Sequence, residues 1–308
     1  MTSQSTTFTI RHARINDAQE ITNLIVLCDI NDHGVPDITQ EDLLNMWNSI
    51  HIETDTWVAC SPNHTIIGYA FLERHIESRM DTCVFVHPEY ENNGIGSVLL
   101  LKVEERANEL AEGSTTDQKL MNHIPFTNRA ARNLVENRGF TCCRLYKRMQ
   151  IELTEQPAKP SFPAGITVRS FQPDHDEKTI YELYDQTFCD SWGYSKTDYS
   201  QWIHKQKGEQ YDASLWFIVR DDQEPAAFMM CRCQEDGLYI ELLGVKRAWR
   251  KQGIGHSLLL HAFQTAYQRG QNTVFLNVDS ESLTNAHSLY ERVGMRAVFQ
   301  SALYQKKL

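Results

Sequence analysis

The chain has 308 residues, of which 41% are hydrophobic and 23% are charged, and its formal net charge at pH 7 is −10. This composition is typical of a soluble globular protein with one large or two ordinary domains. The negative charge argues against nonspecific binding to nucleic acid, and no apolar run approaches the roughly 18 residues that a membrane span needs.

The N-terminal segment indicates the compartment, and the cysteine spacing bears on metal binding. The first 17 residues, MTSQSTTFTIRHARIND, lack the apolar core of a signal peptide, so we expect a cytoplasmic protein without membrane contact. Eight cysteines are present, but no C-x-x-C pair is among them. Zinc and redox motifs are therefore not favoured, and we expect no metal. Cys231 and Cys233 alternate along an apolar run and are expected to be buried thiols.

The second half of the chain repeats the first. Three matched pairs share an offset of 159, namely Trp57 with Trp216, Val86 with Val245 and Gly94 with Gly253. Two copies of about 150 residues are each large enough to fold as a domain. The stretch TEQPAKPSFPAG between them contains three prolines and a glycine, which is typical of a linker. We therefore predict domains at 1–153 and 166–308, joined by a linker at 154–165.

Hydrophobic periodicity predicts the same element order in each copy: strand, helix, three strands, glycine turn, helix, strand, helix, strand. In the second copy the predicted strands are 165–171, 215–221, 225–233, 237–245, 273–280 and 297–307, and the predicted helices are 176–188, 253–269 and 283–293. Ile254, Leu258 and Ala262 recur on one face of the long helix, and Gly270 ends it. The fold class is therefore a mixed α/β architecture with a mixed sheet and a central strand–turn–helix unit.

A Gly-x-Gly turn joins a strand to the main helix in both copies, at Gly94 and at Gly253. Backbone N–H groups and the helix dipole make such a turn a site for phosphate or pyrophosphate, although a tight turn without a ligand has the same sequence. The charge nearby differs between the copies. The second turn is surrounded by Lys246, Arg247, Arg250 and Lys251, and the first by Glu89 and Glu91. Since carboxylates repel a bound phosphate, the second turn is the better anion site.

Here the residues resemble a known family. The stretch VKRAWRKQGIGHSLL resembles motif A of the GNAT superfamily of acetyltransferases, and NAHSLYERVGM resembles motif B. The matching residues are Arg250, Gly253 and Gly255 in motif A, and Asn285, Tyr290 and Gly294 in motif B. Both halves of the chain show the resemblance, so the sequence looks like a tandem GNAT protein, with a layout similar to that of the mycothiol synthase family.

The resemblance implies an N-acetyltransferase that uses acetyl-CoA as donor, with no metal, and a small amine or peptide as acceptor. Backbone N–H groups from about Lys251 to His256 would hold the pyrophosphate, and the end of the preceding strand would pair with the pantetheine arm. The implied donor site comprises Leu243, Gly244, Val245, Arg250, Lys251, Gln252, Gly253, Ile254, Gly255, His256 and Asn285.

Acetyl transfer needs a neutral amine, and removing the proton of a lysine-type amine at pH 7 costs about 4.6 kcal/mol. Glu241 lies on the strand that leads into the second turn and is the candidate base. Strict alternation along that strand places Glu241 on one face with Tyr239 and Leu243. The alternative is a surface or ion-paired glutamate. By the common offset, its counterpart in the first copy is Thr82, which cannot act as a base.

The departing CoA thiolate needs a proton, and the resemblance places Tyr290 where GNAT enzymes often have a tyrosine for this purpose. A phenol with a pKa near 10 is protonated at pH 7 and can donate. The alternative is a tyrosine that packs in the core. Its counterpart in the first copy is Val135, and the counterpart of Asn285 is Ala130, so the first copy is expected to be a degenerate, non-catalytic partner.

Two functions follow: an N-acetyltransferase whose second copy is catalytic, or a non-catalytic module that binds or senses acyl-CoA. The acceptor is left open among small amines, amino sugars, antibiotics and protein N-termini, and the chain is expected to be a monomer or homodimer. The aromatic stretch SWGYSKTDYSQW, residues 191–202, either walls an acceptor cleft or packs between helices.

Overall fold

The computed structural model describes residues 7–75, 78–208, 211–234, 236–281 and 286–308. The chain divides into two compact units. Unit 1 comprises residues 1–145 and 300–308, and unit 2 comprises residues 146–299. Each unit has a mixed sheet with helices packed on both of its faces, which confirms the predicted fold class.

The described elements follow the order that the repeat predicts, with two additional helices in the first half and one in the second. Those of the first half are β1 (Thr9–Arg11), α1 (Ala18–His33), α2 (Gln40–Trp47), α3 (Ile52–Asp55), β2 (Thr56–Cys60), β3 (Ile66–Arg74), β4 (Arg79–Val86), α4 (Ile95–Ala111), β5 (Lys119–Pro125), α5 (Arg129–Asn137) and β6 (Thr141–Glu152). Those of the second half are β7 (Ile166–Ser170), α6 (Glu177–Phe188), α7 (Tyr199–Gln206), β8 (Trp216–Asp221), β9 (Glu224–Gln234), β10 (Gly237–Val245), α8 (Ile254–Gln268), β11 (Thr273–Asp279), α9 (Ala286–Arg292) and β12 (Arg296–Lys307).

Both sheets have the same plan. The strand order is β1-β2-β3-β4-β5-β12 in unit 1 and β7-β8-β9-β10-β11-β6 in unit 2. Neighbouring strands are antiparallel except for the pairs β4–β5 and β10–β11, which are parallel. The main helix, α4 or α8, buries its apolar stripe on one face of its sheet, and α1 or α6 packs on the other face.

Helix α7 was not predicted, and it shows how one end of the aromatic stretch, residues 191–202, packs. Trp202 on α7 is 4% exposed, and its ring lies 5.6 Å from that of Tyr181 and 5.1 Å from that of Tyr184, both on α6. This end of the stretch therefore forms the core of a helix pair, which is one of the two alternatives. Trp192, at the other end, is 36% exposed.

The closing strand of each sheet comes from the other half of the sequence. Residues 301–307 of β12 pair with β5 in unit 1, and residues 146–152 of β6 pair with β11 in unit 2. In unit 1, Lys306 Nζ of β12 lies 2.5 Å from Oε1 of Glu104, a carboxylate on α4 that is 4% exposed. Unit 1 is therefore incomplete without the C-terminus of the chain.

Deleting residues 300–308 is expected to destabilise unit 1 by at least 3 kcal/mol. The deletion removes a strand ladder with the buried Leu303 and Tyr304, and the loss of one large buried side chain typically costs about 2–5 kcal/mol. Glu104 also loses Lys306, although Arg138 remains its ion-pair partner. Urea unfolding followed by tryptophan fluorescence would measure the loss. Lys306→Met is the matched point variant, and it should show most of the electrostatic part while the strand remains. An unchanged unfolding midpoint for the truncated chain would contradict this role of β12.

Candidate functional site

The glycine turn of unit 2 presents a row of unpaired amides. Gly253 has φ +85° and Lys251 has φ +63°, so both lie in the left-handed region. The first hydrogen bond of α8 runs from the N–H of Ser257 to the carbonyl of Gly253, at 3.0 Å. Among the described residues, no acceptor contacts the backbone N–H groups of 251–256. Such a concave row at a helix N-terminus is typical of an anion site.

The other motif residues shape this turn. Arg250 Nε donates to the carbonyl of Val245 at 2.9 Å, so its side chain braces the turn against β10. A Cβ on Gly255 would lie 3.1 Å from Leu289 Cδ2, so the glycine allows α8 and α9 to pack closely. A Cβ on Gly244 would lie 2.4 Å from Thr187 Oγ1 on α6. Five other predicted donor residues differ in their exposure to solvent. Ile254 is buried, Leu243 and Val245 are half-buried, and Gln252 and His256 are exposed.

The cations around the turn are not equally available. Lys246 Nζ lies 3.6 Å from Glu224 Oε1, and Arg247 forms an ion pair with Asp190. Lys251 is exposed and has no ion pair with any residue that the structure describes. Because Lys251 also belongs to the row of amides, it is the cation best placed for an incoming phosphate.

Strands β10 and β11 pair only at their beginning. The parallel register includes Leu238 with Val274 and Tyr239 with Phe275, and beyond that point the two strands diverge. Leu243, Gly244 and Val245 therefore lie on a strand edge that opens toward the turn. Unpaired peptide groups on such an edge can pair with the amides of an extended ligand. Asn285, the remaining predicted donor residue, lies outside the described residues.

A β-bulge lies in β10 at Glu241. The antiparallel register with β9 shifts between Ile240 and Leu242, so Glu241 is an extra residue in the ladder. Ile240 and Leu243 then pack on the α8 side, whereas Leu242 packs on the α6 side. The prediction that Glu241 shares a face with Leu243 is therefore wrong, because strict alternation does not cross a bulge. Bulges of this kind re-aim side chains and occur often beside active sites.

Glu241 is ion-paired in this structure. Its carboxylate accepts two hydrogen bonds from Arg232 of β9, at 2.6 Å from Nε and 2.9 Å from Nη2. The two side chains are 23% and 20% exposed, so water reaches the pair. Arg232 was missed from the sequence, because its contact with Glu241 depends on the strand register. The geometry corresponds to the ion-paired alternative and holds both carboxylate oxygens in fixed positions.

Tyr290 lies within the core that α8 and α9 form on the sheet. The side chain is 8% exposed, and it has no hydrogen bond to any residue in the described part of the chain. Burial raises the pKa of its phenol to about 12. The hydroxyl is therefore protonated throughout the neutral range, which both a proton donor and a core residue require.

Unit 1 contains the same turn without the bulge. Asn92 and Gly94, which match Lys251 and Gly253, also lie in the left-handed region, with φ +60° and +82°. The register of β4 with β3 is continuous from Met80 to Val86. Thr82 is 1% exposed, and its hydroxyl donates to the carbonyl of Phe71 at 2.6 Å. Nothing in β4 corresponds to Glu241.

Unit 1 also holds a well-formed cavity of about 190 Å³. It lies where β4 and β5 diverge, and α1, the glycine turn and α5 complete its walls. Glu91 and Val135 are among the lining residues. The cleft of the first repeat is therefore retained, although its polar residues differ from those of unit 2.

Family profiles and known structures agree on the class of protein. The profile of the acetyltransferase (GNAT) family matches residues 178–295, and that of a GNAT acetyltransferase domain matches residues 53–142. A GCN5-related N-acetyltransferase from Sphaerobacter thermophilus has a TM-score of 0.87 and 27% identity, with 97% of this chain and 95% of that chain covered. These matches define an acyltransferase with two GNAT domains, and the chain belongs to the GNAT acetyltransferase family.

Relatives with a curated name are mycothiol acetyltransferases. That of Stackebrandtia nassauensis is 28% identical over 79% of this chain and 80% of its own length. That of Streptomyces scabiei is 25% identical over 80% of this chain and 78% of its own length. A tandem GNAT protein from the clavulanic acid biosynthesis pathway has a TM-score of 0.76 over 98% of each chain, and at 14% identity it shares the fold.

No group of three or more His, Cys, Asp and Glu side chains among the described residues is arranged to hold a metal ion. Of the helices that the structure describes, none combines the length and the apolar character that a bilayer crossing requires.

Proposed function

We propose that this chain transfers an acetyl group from acetyl-CoA to a primary amine, and that unit 2 is the catalytic unit. The observation that carries the proposal is the bulge at Glu241, beside the diverging strands and close to the glycine turn. Unit 1 has the strands and the turn but no bulge. Family membership supports an acyl-CoA donor, and the similarity to named acetyltransferases favours acetyl-CoA.

The donor would be held by main-chain groups. The amides from Lys251 to His256 receive the pyrophosphate, and the ammonium group of Lys251 adds a charge-assisted contact. The peptide groups of 243–245 pair with the pantetheine arm along the open strand edge. A bulge leaves peptide groups out of the strand ladder. Glu241 has no register partner in β9, and its N–H would be available to the negative charge that develops on the acetyl oxygen.

The chain's own side chains would manage the protons. The ammonium proton of the acceptor leaves through Glu241, directly or through one water, and the neutral nitrogen attacks the acetyl carbon. As the new C–N bond forms and the C–S bond breaks, Tyr290 donates its phenolic proton to the sulfur. The nitrogen then gives up its second proton, which returns through water to the tyrosinate and restores the phenol. Arg232 fixes the carboxylate of Glu241 and is a positioning residue.

The acceptor is a primary amine on a small molecule. This class is supported by the names of the mycothiol acetyltransferases, which share 24–28% identity with this chain. Measuring thiol release from acetyl-CoA with a panel of amines tests the proposal. The amine that mycothiol acetyltransferases acetylate should be the first amine in this panel. Turnover on a panel amine is expected. Stable binding of CoA with no turnover on any amine would contradict it.

Glu241→Gln tests the base. We expect a roughly 100-fold lower kcat/KM near pH 7, because general-base assistance is typically worth 10²–10⁴-fold. The deficit should shrink as pH rises toward the pKa of the acceptor amine, because the amine then loses its proton without help. A purely structural role for the ion pair predicts a deficit that is constant with pH. Arg232→Lys is the companion variant, and it should lower kcat/KM less than Glu241→Gln, since it keeps the positive charge.

A further inference from the structure

The cavity of unit 1 has a different electrostatic character from the donor site of unit 2. The residues that line it include Asp29 and Asp32 of α1 and Glu91 of the turn, but no lysine or arginine. Asp29 and Asp32 are three residues apart, so they lie on one face of α1. The carboxylates therefore enter the cavity from two directions, from the helix and from the turn.

Asp32 has an uncharged partner, whereas Asp29 pairs with a histidine. Asp32 accepts hydrogen bonds from the side-chain amide of Asn128, at 3.1 and 3.4 Å, and an amide carries no charge. Asp29 accepts from the backbone N–H of Asp37 at 3.1 Å. Within the described part of the chain, its ion-pair partner is His33, at 3.7 Å. That imidazole carries a positive charge only when it is protonated.

Two groups inside the cavity respond to this environment. Burial, together with the charges of Asp32, Asp29 and Glu91, raises the pKa of the Cys28 thiol to about 12. All three carboxylates therefore act on one point of the cavity. Burial also lowers the pKa of His123, a residue of β5 that lines the cavity. Its ring therefore adds no positive charge near pH 7.

The lining also includes uncharged polar side chains, such as Asn31 and Asn122, and a set of apolar and aromatic ones. Phe85 and Tyr90 are the aromatic rings among its lining residues apart from His123, and Leu100, Ile124 and Val135 are among the aliphatic ones. Carboxylates combined with aromatic rings are the groups that recognise an ammonium ion. An apolar cavity of roughly 150 Å³ holds a benzene-sized molecule, so a cavity of about 190 Å³ admits a small organic ligand.

We propose that the cavity of unit 1 binds a small organic ammonium ion with an apolar body, and that it does not bind an acyl-CoA. The pyrophosphate of a CoA would lie beside Glu91, where unit 2 has Arg250. The same charge that repels a phosphate attracts an ammonium group. This proposal goes beyond the acetyl transfer in unit 2 and does not depend on it.

Three probes of matched shape test the proposal: benzylammonium, benzyl alcohol and benzoate, titrated by calorimetry at pH 7. We expect benzylammonium to bind at least about fivefold more tightly than the alcohol, and benzoate to bind most weakly. The reason is that the carboxylates of the cavity, although partly exposed to water, attract a cation and repel an anion at short range. Equal affinities for the cation and the alcohol, or no binding of benzylammonium, would overturn the proposal.

The location is tested with isosteric variants. Asp29→Asn combined with Asp32→Asn should remove the preference for the cation while the affinity for benzyl alcohol stays the same. Glu53→Gln removes an exposed carboxylate outside the cavity and should change nothing. If the double variant fails to fold, Glu91→Gln alone should still reduce the preference. A cation preference that survives in the folded variants would assign the binding elsewhere.

The exclusion of CoA needs a separate titration. In a Gly253→Asp chain, any remaining CoA binding is compared with and without a second change, Gly94→Asp. We expect Gly94→Asp to make no difference. Saturable CoA binding that Gly94→Asp abolishes would overturn the proposal, whereas binding that ignores this change belongs to unit 2 and concerns only the proposed donor site.

Discussion

Gly253→Asp is expected to weaken acetyl-CoA binding by at least about 100-fold. The new carboxylate would lie in the row of amides that receives the pyrophosphate. At about 5 Å and an effective dielectric constant of about 20, each pair of like charges costs roughly 3 kcal/mol. The fold should survive, because a Cβ at Gly253 meets no atom within 4 Å. The left-handed backbone adds a strain of only about 1–2 kcal/mol. Calorimetric titration with CoA measures the effect.

Gly253→Asn is the matched control, since it has the same shape and the same backbone strain without the charge. Its CoA affinity should lie much closer to that of the unchanged chain. Gly94→Asp makes the equivalent change in unit 1 and should affect turnover far less. Equal losses of CoA affinity in the Asp and Asn variants would show that strain, rather than charge, disrupts the turn. Equal losses of turnover at Gly94 and Gly253 would assign a catalytic role to unit 1.

Much of the fold was predictable because its signals are local. The apolar stripe of α8 and the glycine turn before it depend on residues that are close together in the sequence, and the repeat shows each pattern twice. The predicted strands and helices of the second copy match β7–β12, α6, α8 and α9 to within a few residues, where the structure describes them. Helix α7 was missed because its eight residues lie in a stretch rich in turn formers.

The bulge at Glu241 could not be predicted from the repeat. From Leu238 to Val245, β10 has one residue more than β4 has from Met80 to Val86. The hairpin turn before β10 is shorter by one residue, so the offset of 159 is the same on both sides. A constant offset therefore concealed an insertion and a compensating deletion. Only the strand register separates them, and register depends on contacts distant in sequence.

The exchange of closing strands has a similar explanation. β6 and β12 occupy equivalent positions in the two repeats, and both are strands of 12 residues. Nothing local specifies whether such a strand pairs with its own copy or with the other one, because both sheets offer an equivalent edge, at β5 and at β11. The cavity of unit 1 could not be predicted from the sequence either, because the residues of α1 that line it lie far in sequence from the glycine turn.

Tyr290→Phe is expected to lower kcat by 10²- to 10⁴-fold, the usual range for general-acid assistance, and to leave acetyl-CoA affinity nearly unchanged. The change removes one hydroxyl that has no hydrogen bond among the described residues, and it keeps the ring that packs in the core. The melting temperature should therefore hardly move. Single-turnover rates are the proper comparison, because slow product release can mask the chemical step.

The pH dependence separates a proton donor from a core residue. Because burial holds the pKa of Tyr290 at about 12, the phenol keeps its proton at every pH well below that value. The unchanged enzyme should show no alkaline loss from this group within the assay range, and the deficit of Tyr290→Phe should be the same across it. Val135→Tyr in unit 1 should gain nothing, because unit 1 lacks the bulge and the basic turn. Tyr290→Phe with an unchanged single-turnover rate would mean that water protonates the thiolate, and that Tyr290 serves the core alone.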